Sequence, residues 1–241
     1  MRKVYCDIRK CVSCRSCEIA CAVRHSRSGD LYQALREDPG PKRLVRVTPS
    51  GLGPFPLRCH HCEEAACIDA CKTGATRRDP MTGKVLIDRD KCVGCWMCVM
   101  VCPFGAVFPD VKTGKALKCD LCELHEQPAC VASCPAQALT FGRRGNLLDE
   151  ARSRIYTQPG RYVHQIYGEH EAGGTSWLYL SAVPFDRIGF RTDLATMGYP
   201  TFAKEFLYAV PQVDILAPLL LLGLARAAAG RNTDADEEGD A

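Results

Sequence analysis

Aromatic side chains are scarce in this 241-residue chain, at 7% of the total with only two tryptophans. Phe, Tyr and Trp bury the largest area per side chain, so a chain this poor in them needs something besides side-chain packing to hold it together. A GxGxxG turn and a P-loop are also missing, which removes two familiar signatures of nucleotide chemistry, and no nucleophile and base stand out as a catalytic pair. The first ten residues, MRKVYCDIRK, contain neither an apolar h-region nor a twin-arginine pattern, so no secretory signal is expected.

Cysteine, by contrast, is abundant, with seventeen residues. Disulfides would need an oxidising compartment, and nothing read here directs the chain to one. Thiolates bound to metal in a reducing cytoplasm are therefore the expected use. The stretch KCVGCWMCVMVCP places Cys92, Cys95, Cys98 and Cys102 at Cys-x2-Cys-x2-Cys-x3-Cys-Pro spacing. Three thiolates two residues apart let one tight loop wrap three corners of a cubane, with Gly94 easing the turn. The fourth, followed by Pro103, ligates the other cluster of a pair. One such motif implies a partner motif.

Three further quartets are present: Cys11, Cys14, Cys17 and Cys21; Cys59, Cys62, Cys67 and Cys71; and Cys119, Cys122, Cys130 and Cys134, followed by Pro135. An internal repeat links them, because KTGAT, PFGAV and PAQAL follow Cys71, Cys102 and Cys134, each with Ala in the fourth position. A short helix carrying the fourth thiolate and then a strand is expected at each. Zinc ribbons also use Cys-x2-Cys pairs, but they need no third cysteine at this spacing and no Cys-Pro exit. Cys6 stands outside the quartets and reads as a small buried hydrophobe. His60 and His61 lie inside a complete quartet, so a hydrogen bond to sulfur or a surface position is expected rather than ligation. Trp96 reads as cluster shielding or ordinary packing.

The formal net charge is +3, but a 4Fe-4S core with its four thiolates carries about −2 when oxidised, so four of them would bring the folded protein to roughly −5. Nucleic-acid binding then has no electrostatic basis. Lys10, Arg15, Arg24, Lys91 and Lys118 read as local compensation for these anions.

Residues 26–58 hold no cysteine before Cys59. They read as an insertion with a short helix at LYQAL and one strand at RLVRV, packed over the metal-binding region and available to a partner. GATRRDPMTGKVLID reads as a hairpin turning at Asp79 to Gly83. Beyond residue 145, LLDEARSRIY is expected to be helical, and WLYLSAV a strand or an apolar docking segment. Glu169, His170 and Glu171 read as solvated or docking residues rather than a proton relay or metal site. Phe206 to Ala225 is long enough to span a bilayer. Asp214 costs about 2.5 to 3.5 kcal/mol there, its eleven Leu, Ile, Val and Phe residues return about 0.3 to 0.6 kcal/mol each, and Pro211, Gln212 and Pro218 leave insertion marginal. Arg226 and Arg231 also favour a cytoplasmic C-terminus, against the expected cytoplasmic cluster domain.

With all sixteen quartet positions cysteine, the chain resembles the four-cluster 4Fe-4S ferredoxin-type electron-transfer subunits of the DMSO reductase iron-sulfur subunit family, with its HybA-like, NrfC-like and CooF-like members, over about residues 3–142. YGEHEAGGTSWLYL resembles the C-terminal extension of the HybA-like members. The resemblance implies an α+β fold of two nested bacterial-ferredoxin-like modules with an inserted segment, a C-terminal extension and an apolar tail helix. The boundaries would be 1–145 for the cluster domain, 146–200 for a docking extension, 201–230 for the tail and 231–241 for a disordered acidic end. It also implies four cofactors. One cluster would take Cys11, Cys14, Cys17 and Cys134; a second Cys59, Cys62, Cys67 and Cys102; a third Cys92, Cys95, Cys98 and Cys71; and a fourth Cys119, Cys122, Cys130 and Cys21. The implied role is non-catalytic, at the cytoplasmic side of a membrane. There the protein would pass electrons between a catalytic oxidoreductase subunit (a molybdenum or tungsten enzyme, a hydrogenase or a carbon monoxide dehydrogenase) and an NrfD-like or HybB-like quinone-reactive membrane subunit. The alternatives are a free-standing soluble polyferredoxin and, from another class, a zinc-binding structural module.

Overall fold

The computed structural model describes residues 2–48, 54–201, 203, 204, 208, 210 and 216–226. The chain divides into two units, Met1–Tyr199 and Pro200–Ala241. In the first, a three-stranded sheet of order β8-β1-β9 joins residues far apart in sequence. β1 (Arg2–Asp7) runs antiparallel to β8 (Leu139–Arg143) and parallel to β9 (Trp177–Leu180).

Successive side chains of a strand point to opposite faces, and here both faces are buried. Val4 and Cys6 of β1, with Trp177 and Tyr179 of β9, face a core that contains many of the cysteines. Tyr5, Leu178 and Leu180 face the other way, against α6 (Arg144–Thr157). That helix presents Leu147, Leu148, Ala151 and Ile155, a spacing that places all four on one helical face. Trp177 and Tyr179 thus stand where the sheet meets the cysteine-rich core.

The cysteine-rich region is a set of short helices and two-stranded hairpins. α1 spans Ser16–Arg24, α3 Ala66–Asp69, α4 Met97–Met100 and α5 Ala129–Ala132, while α2 is Leu31–Ala34. β4 (Thr76–Arg78) pairs with β5 (Val85–Ile87), and β6 (Phe108–Asp110) with β7 (Lys115–Leu117), both antiparallel. The two hairpins share the turn Asp-x-x-Thr-Gly-Lys. Asp79 accepts from Thr82 Oγ1 and the Met81 N–H in one, and Asp110 from Thr113 Oγ1 and the Lys112 N–H in the other. Gly83 and Gly114 supply the left-handed position that closes each turn.

Several expectations need correction. The insertion carries two strands, not one: β2 (Val45–Thr48) pairs antiparallel with β3 (Phe55–Arg58). Pro56, opposite Val47, hides the second strand in the sequence because proline cannot donate to a ladder. The short helices after the first quartet carry the third cysteine of their quartets, Cys67, Cys98 and Cys130, and the fourth lies just past the helix end. Residues 146–199 fall in the same compact unit as the cysteine-rich region. The span expected over 206–225 lies partly outside the described residues. Residues 216–226 are helical with exposed leucines, and no helix among the described residues is long and apolar enough to cross a membrane.

Candidate metal centres

The four Cys-x2-Cys loops share one left-handed position. The residue two positions after the first cysteine is left-handed in every loop: Ser13 at φ 57°, His61 at 45°, Gly94 at 72° and Leu121 at 54°. Three of these are not glycine, so the surroundings must hold a conformation that L residues disfavour. Alternating right- and left-handed residues turn successive N–H groups to one side, a concavity that binds anions, including iron-sulfur cores. In the first and third loops Arg15 (φ 58°) and Trp96 (φ 61°) repeat the left-handed turn and lead directly into α1 and α4. At Gly94 a Cβ atom would lie 1.9 Å from the Gly114 carbonyl oxygen, so close packing as well as φ requires glycine.

The exits repeat too. The third residue after Cys71, Cys102 and Cys134 is left-handed (Gly74, Gly105, Gln137), and the alanine that follows is at most 2% exposed in all three cases. Ala106 N–H donates to Cys102 Sγ at 3.4 Å and Ala138 N–H to Cys134 Sγ at 3.3 Å. After Cys71 the donor is the Thr76 N–H, at 3.3 Å. Alanine thus fits a position whose N–H must reach sulfur and whose side chain has no room. Cys21 has no such exit, being inside α1; its N–H donor is Leu44, from the insertion, at 3.2 Å. Leu121 donates to Cys119 Sγ, Ala129 to Cys122 Sγ and His61 to Cys59 Sγ, at 3.4 to 3.5 Å.

The cysteines of different quartets lie close to one another. Cys11, Cys14, Cys17 and Cys134 line one cavity, with Cys6, and Cys71, Cys92, Cys95 and Cys98 line another. Cys62 is pushed well up by burial and then by Cys59, Cys102 and Cys67. Burial likewise raises Cys119 and Cys130, with Cys21 a negative neighbour of both and of Cys122. Cys17, raised to about 11 by burial, feels Cys130, and Cys67, raised to about 12 by burial, feels Cys98, so these groups touch in pairs. Two cysteines go the other way: at Cys71 burial is outweighed by the N–H and hydroxyl of Thr76 and the hydroxyl of Thr73, which bring it down to about 7, and at Cys14 the hydroxyl and N–H of Ser16 lower the thiol.

Buried thiolates with no counter-charge are unfavourable, whereas a coordinated thiol is deprotonated outright. Among the described residues no three His, Cys, Asp or Glu side chains converge on a single-ion site. Cavities lined by four cysteines, with backbone N–H groups already aimed at sulfur, fit a 4Fe-4S core, which spreads its thiolates over four corners.

Of the five cations expected to compensate the clusters, only Lys118 is buried, held by the carbonyls of Val85 and Cys119; the others are exposed. Arg58 was not foreseen: it is fully buried and donates to Cys130 Sγ at 3.3 Å. The only sequence signal was its position next to Cys59. Cys6 is buried in β1. His60 and His61 are buried rather than at the surface: His60 stacks on Phe104 at 4.0 Å, and His61 Nδ1 accepts the Val85 N–H at 3.0 Å. Trp96 packs partly buried beside Cys98. Glu169 pairs with Arg152 at 2.6 Å, and Glu171 accepts from the Gly168 N–H at 2.6 Å, so both brace a loop.

A 4Fe-4S dicluster domain family matches residues 52–144. A protein of Nitratidesulfovibrio vulgaris is 38% identical over 239 residues, covering 90% of this chain, which spans 64% of that relative's length. The hydrogenase-2 operon protein HybA of Escherichia coli O157:H7 is 28% identical over 280 residues, covering 95% of this chain and 84% of HybA. The thiosulfate reductase electron transfer subunit PhsB of Salmonella typhi is 34% identical over 184 residues, covering 72% of this chain and 88% of PhsB. The dicluster domain, the relatives and the α+β ferredoxin-like architecture converge, and the chain belongs to the ferredoxin-type 4Fe-4S electron-transfer protein family that includes HybA and PhsB.

Proposed function

We propose that the chain is a non-catalytic electron-transfer subunit holding four 4Fe-4S clusters in two nested ferredoxin-like modules. The supporting observation is the left-handed residue at Ser13, His61, Gly94 and Leu121, one anion-cradling loop per quartet. In this reading Cys11, Cys14, Cys17 and Cys134 hold the first cluster, and Cys59, Cys62, Cys67 and Cys102 the second. Cys92, Cys95, Cys98 and Cys71 hold the third, and Cys119, Cys122, Cys130 and Cys21 the fourth. When bound, such clusters accept and release single electrons at potentials set by charge, hydrogen bonds and solvent exposure.

The chain's own part is to space the clusters, keep water from them and aim N–H groups at their sulfurs. Cys14 and Cys95 are the exposed cysteines and mark the two ends where electrons enter and leave. One end meets a catalytic oxidoreductase subunit and the other a quinone-reactive integral membrane subunit. Residues 201–230 attach the protein at the membrane, 146–200 help to seat it, and 231–241 form an acidic end.

The test is an anaerobic iron and sulfide assay with an EPR spectrum of the dithionite-reduced protein. About sixteen of each, with interacting spins, is the expected result for four cubanes. About eight of each would reduce the reading to a single ferredoxin pair. Zinc with no acid-labile sulfide would replace it.

A further inference from the structure

We propose that Arg58 is the built-in counterion of the cluster held by Cys119, Cys122, Cys130 and Cys21, raising its reduction potential at the junction between the two modules. The proposal rests on the ligand sets above.

Three cationic side chains are buried among the described residues: Lys3, Arg58 and Lys118. Lys3 is neutralised by Glu63 at 2.5 Å, and Lys118 is caught by two carbonyls. Arg58, 0% exposed, has no carboxylate partner among the described residues. Its Nη1 donates to Cys130 Sγ at 3.3 Å and its Nη2 to the Pro56 carbonyl at 3.5 Å, while the guanidinium lies 3.7 Å from the Trp177 ring centroid. A buried charge without an opposite charge is strongly unfavourable, and the negative groups facing this one are cysteines. Its charge also bears on Cys6, Cys11 and Cys17, so it reaches the neighbouring cluster of the same module.

The backbone explains how the charge is placed. Arg58 ends β3 one residue before Cys59, a ligand of the other module, so its main chain belongs to one pair of clusters and its side chain to the other. Reduction adds one negative charge to a cluster. A fixed cation in a low-dielectric interior stabilises that added charge and favours the reduced form. Arginine suits the role better than lysine because its planar fork both donates to sulfur and stacks on an indole.

The experiment is an EPR-monitored redox titration of Arg58→Met and Arg58→Lys in the full chain. The Cys130 cluster is identified by the signal that Cys130→Ser alters, and the third cluster serves as internal control. In Arg58→Met the reduction equilibrium of the Cys130 cluster should fall at least tenfold, about 59 mV for one electron, with a smaller fall at the cluster of Cys11, Cys14, Cys17 and Cys134 and none at the control. Arg58→Lys should keep most of the wild-type potential. If Arg58→Met fails to retain the Cys130 cluster while Arg58→Lys retains it, the need for a charge is equally shown. An unchanged potential in Arg58→Met, or equal losses in both variants, would overturn the proposal. Iron content of the wild type is measured first: a shortfall there defeats the four-cluster reading itself and is distinct from failure at Arg58.

Discussion

The Leu44 N–H donates to Cys21 Sγ at 3.2 Å, so a segment without cysteines supplies the sulfur hydrogen bond that the other fourth cysteines receive from their own exit loops. On the proposed ligand sets the insertion is therefore part of the fourth centre and not only a cover over it. Leu44→Pro deletes this donor while keeping an apolar side chain. A hydrogen bond to sulfur favours the more negative, reduced state and contributes about 1 kcal/mol net. The potential of the Cys21 cluster should fall by less than tenfold in its reduction equilibrium, with the other clusters unmoved. A redox titration with no change would show that the contact has no electrostatic role.

Gly94→Ala tests the loop geometry. Its Cβ would sit 1.9 Å from the Gly114 carbonyl, at φ +72°, whereas Gly29 has a similar φ of +68° with nothing within 4 Å. Gly29→Ala should cost about 1 kcal/mol from backbone conformation alone. Gly94→Ala should cost several times more and release the iron of the third cluster, because the loop and the β6–β7 turn cannot both stay in place. Thermal unfolding and iron content of the two variants provide the comparison, and equal behaviour would sink the argument.

Lys42, in the insertion, pairs with the buried carboxylate of Asp110 in β6. Burial raises the Asp110 carboxyl, but Lys42 and Thr113 outweigh it and hold the group at about 2. A depressed folded-state value means that the stabilisation is fully present above the unfolded value of about 3.9 and is lost only as pH falls through about 2. Lys42→Met leaves the carboxylate short of its nearest cation and should destabilise by roughly 1 to 3 kcal/mol, by the same amount at every pH between 6 and 8. A pH-dependent difference in denaturant midpoint over that range would place the effect elsewhere.

The sequence showed the cysteine sites far more clearly than the framework around them. The quartet Cys92 to Cys102 is a local pattern and stands out in the sequence by spacing alone, and the β4–β5 hairpin announced itself through its turn at Asp79 to Gly83. The central sheet has no such signature, because β1 pairs with β9 across about 170 residues; WLYLSAV was readable as a strand but its partner was not. Arg58 was illegible for a related reason. One arginine before a cysteine resembles many surface arginines, and only the fold brings Cys130 to 3.3 Å from it.

The seventeenth cysteine separates ligation from proximity. Cys6 lines the same cavity as Cys11, Cys14, Cys17 and Cys134, yet it lies in β1, buried and paired in register with Leu139 and Tyr179. Burial raises its thiol well above the ordinary value, with Arg58 acting in the opposite direction, as suits a small apolar side chain. Cys6→Ala removes one sulfur and should keep about sixteen iron per chain while costing about 1 kcal/mol of stability through the small void. Cys134→Ala, in the same cavity, removes a fourth-position thiolate that carries an N–H donor and should lose at least one iron from the first cluster. Iron analysis and EPR on the two variants decide between the roles. Full iron in Cys134→Ala together with loss in Cys6→Ala would transfer the ligand position to β1.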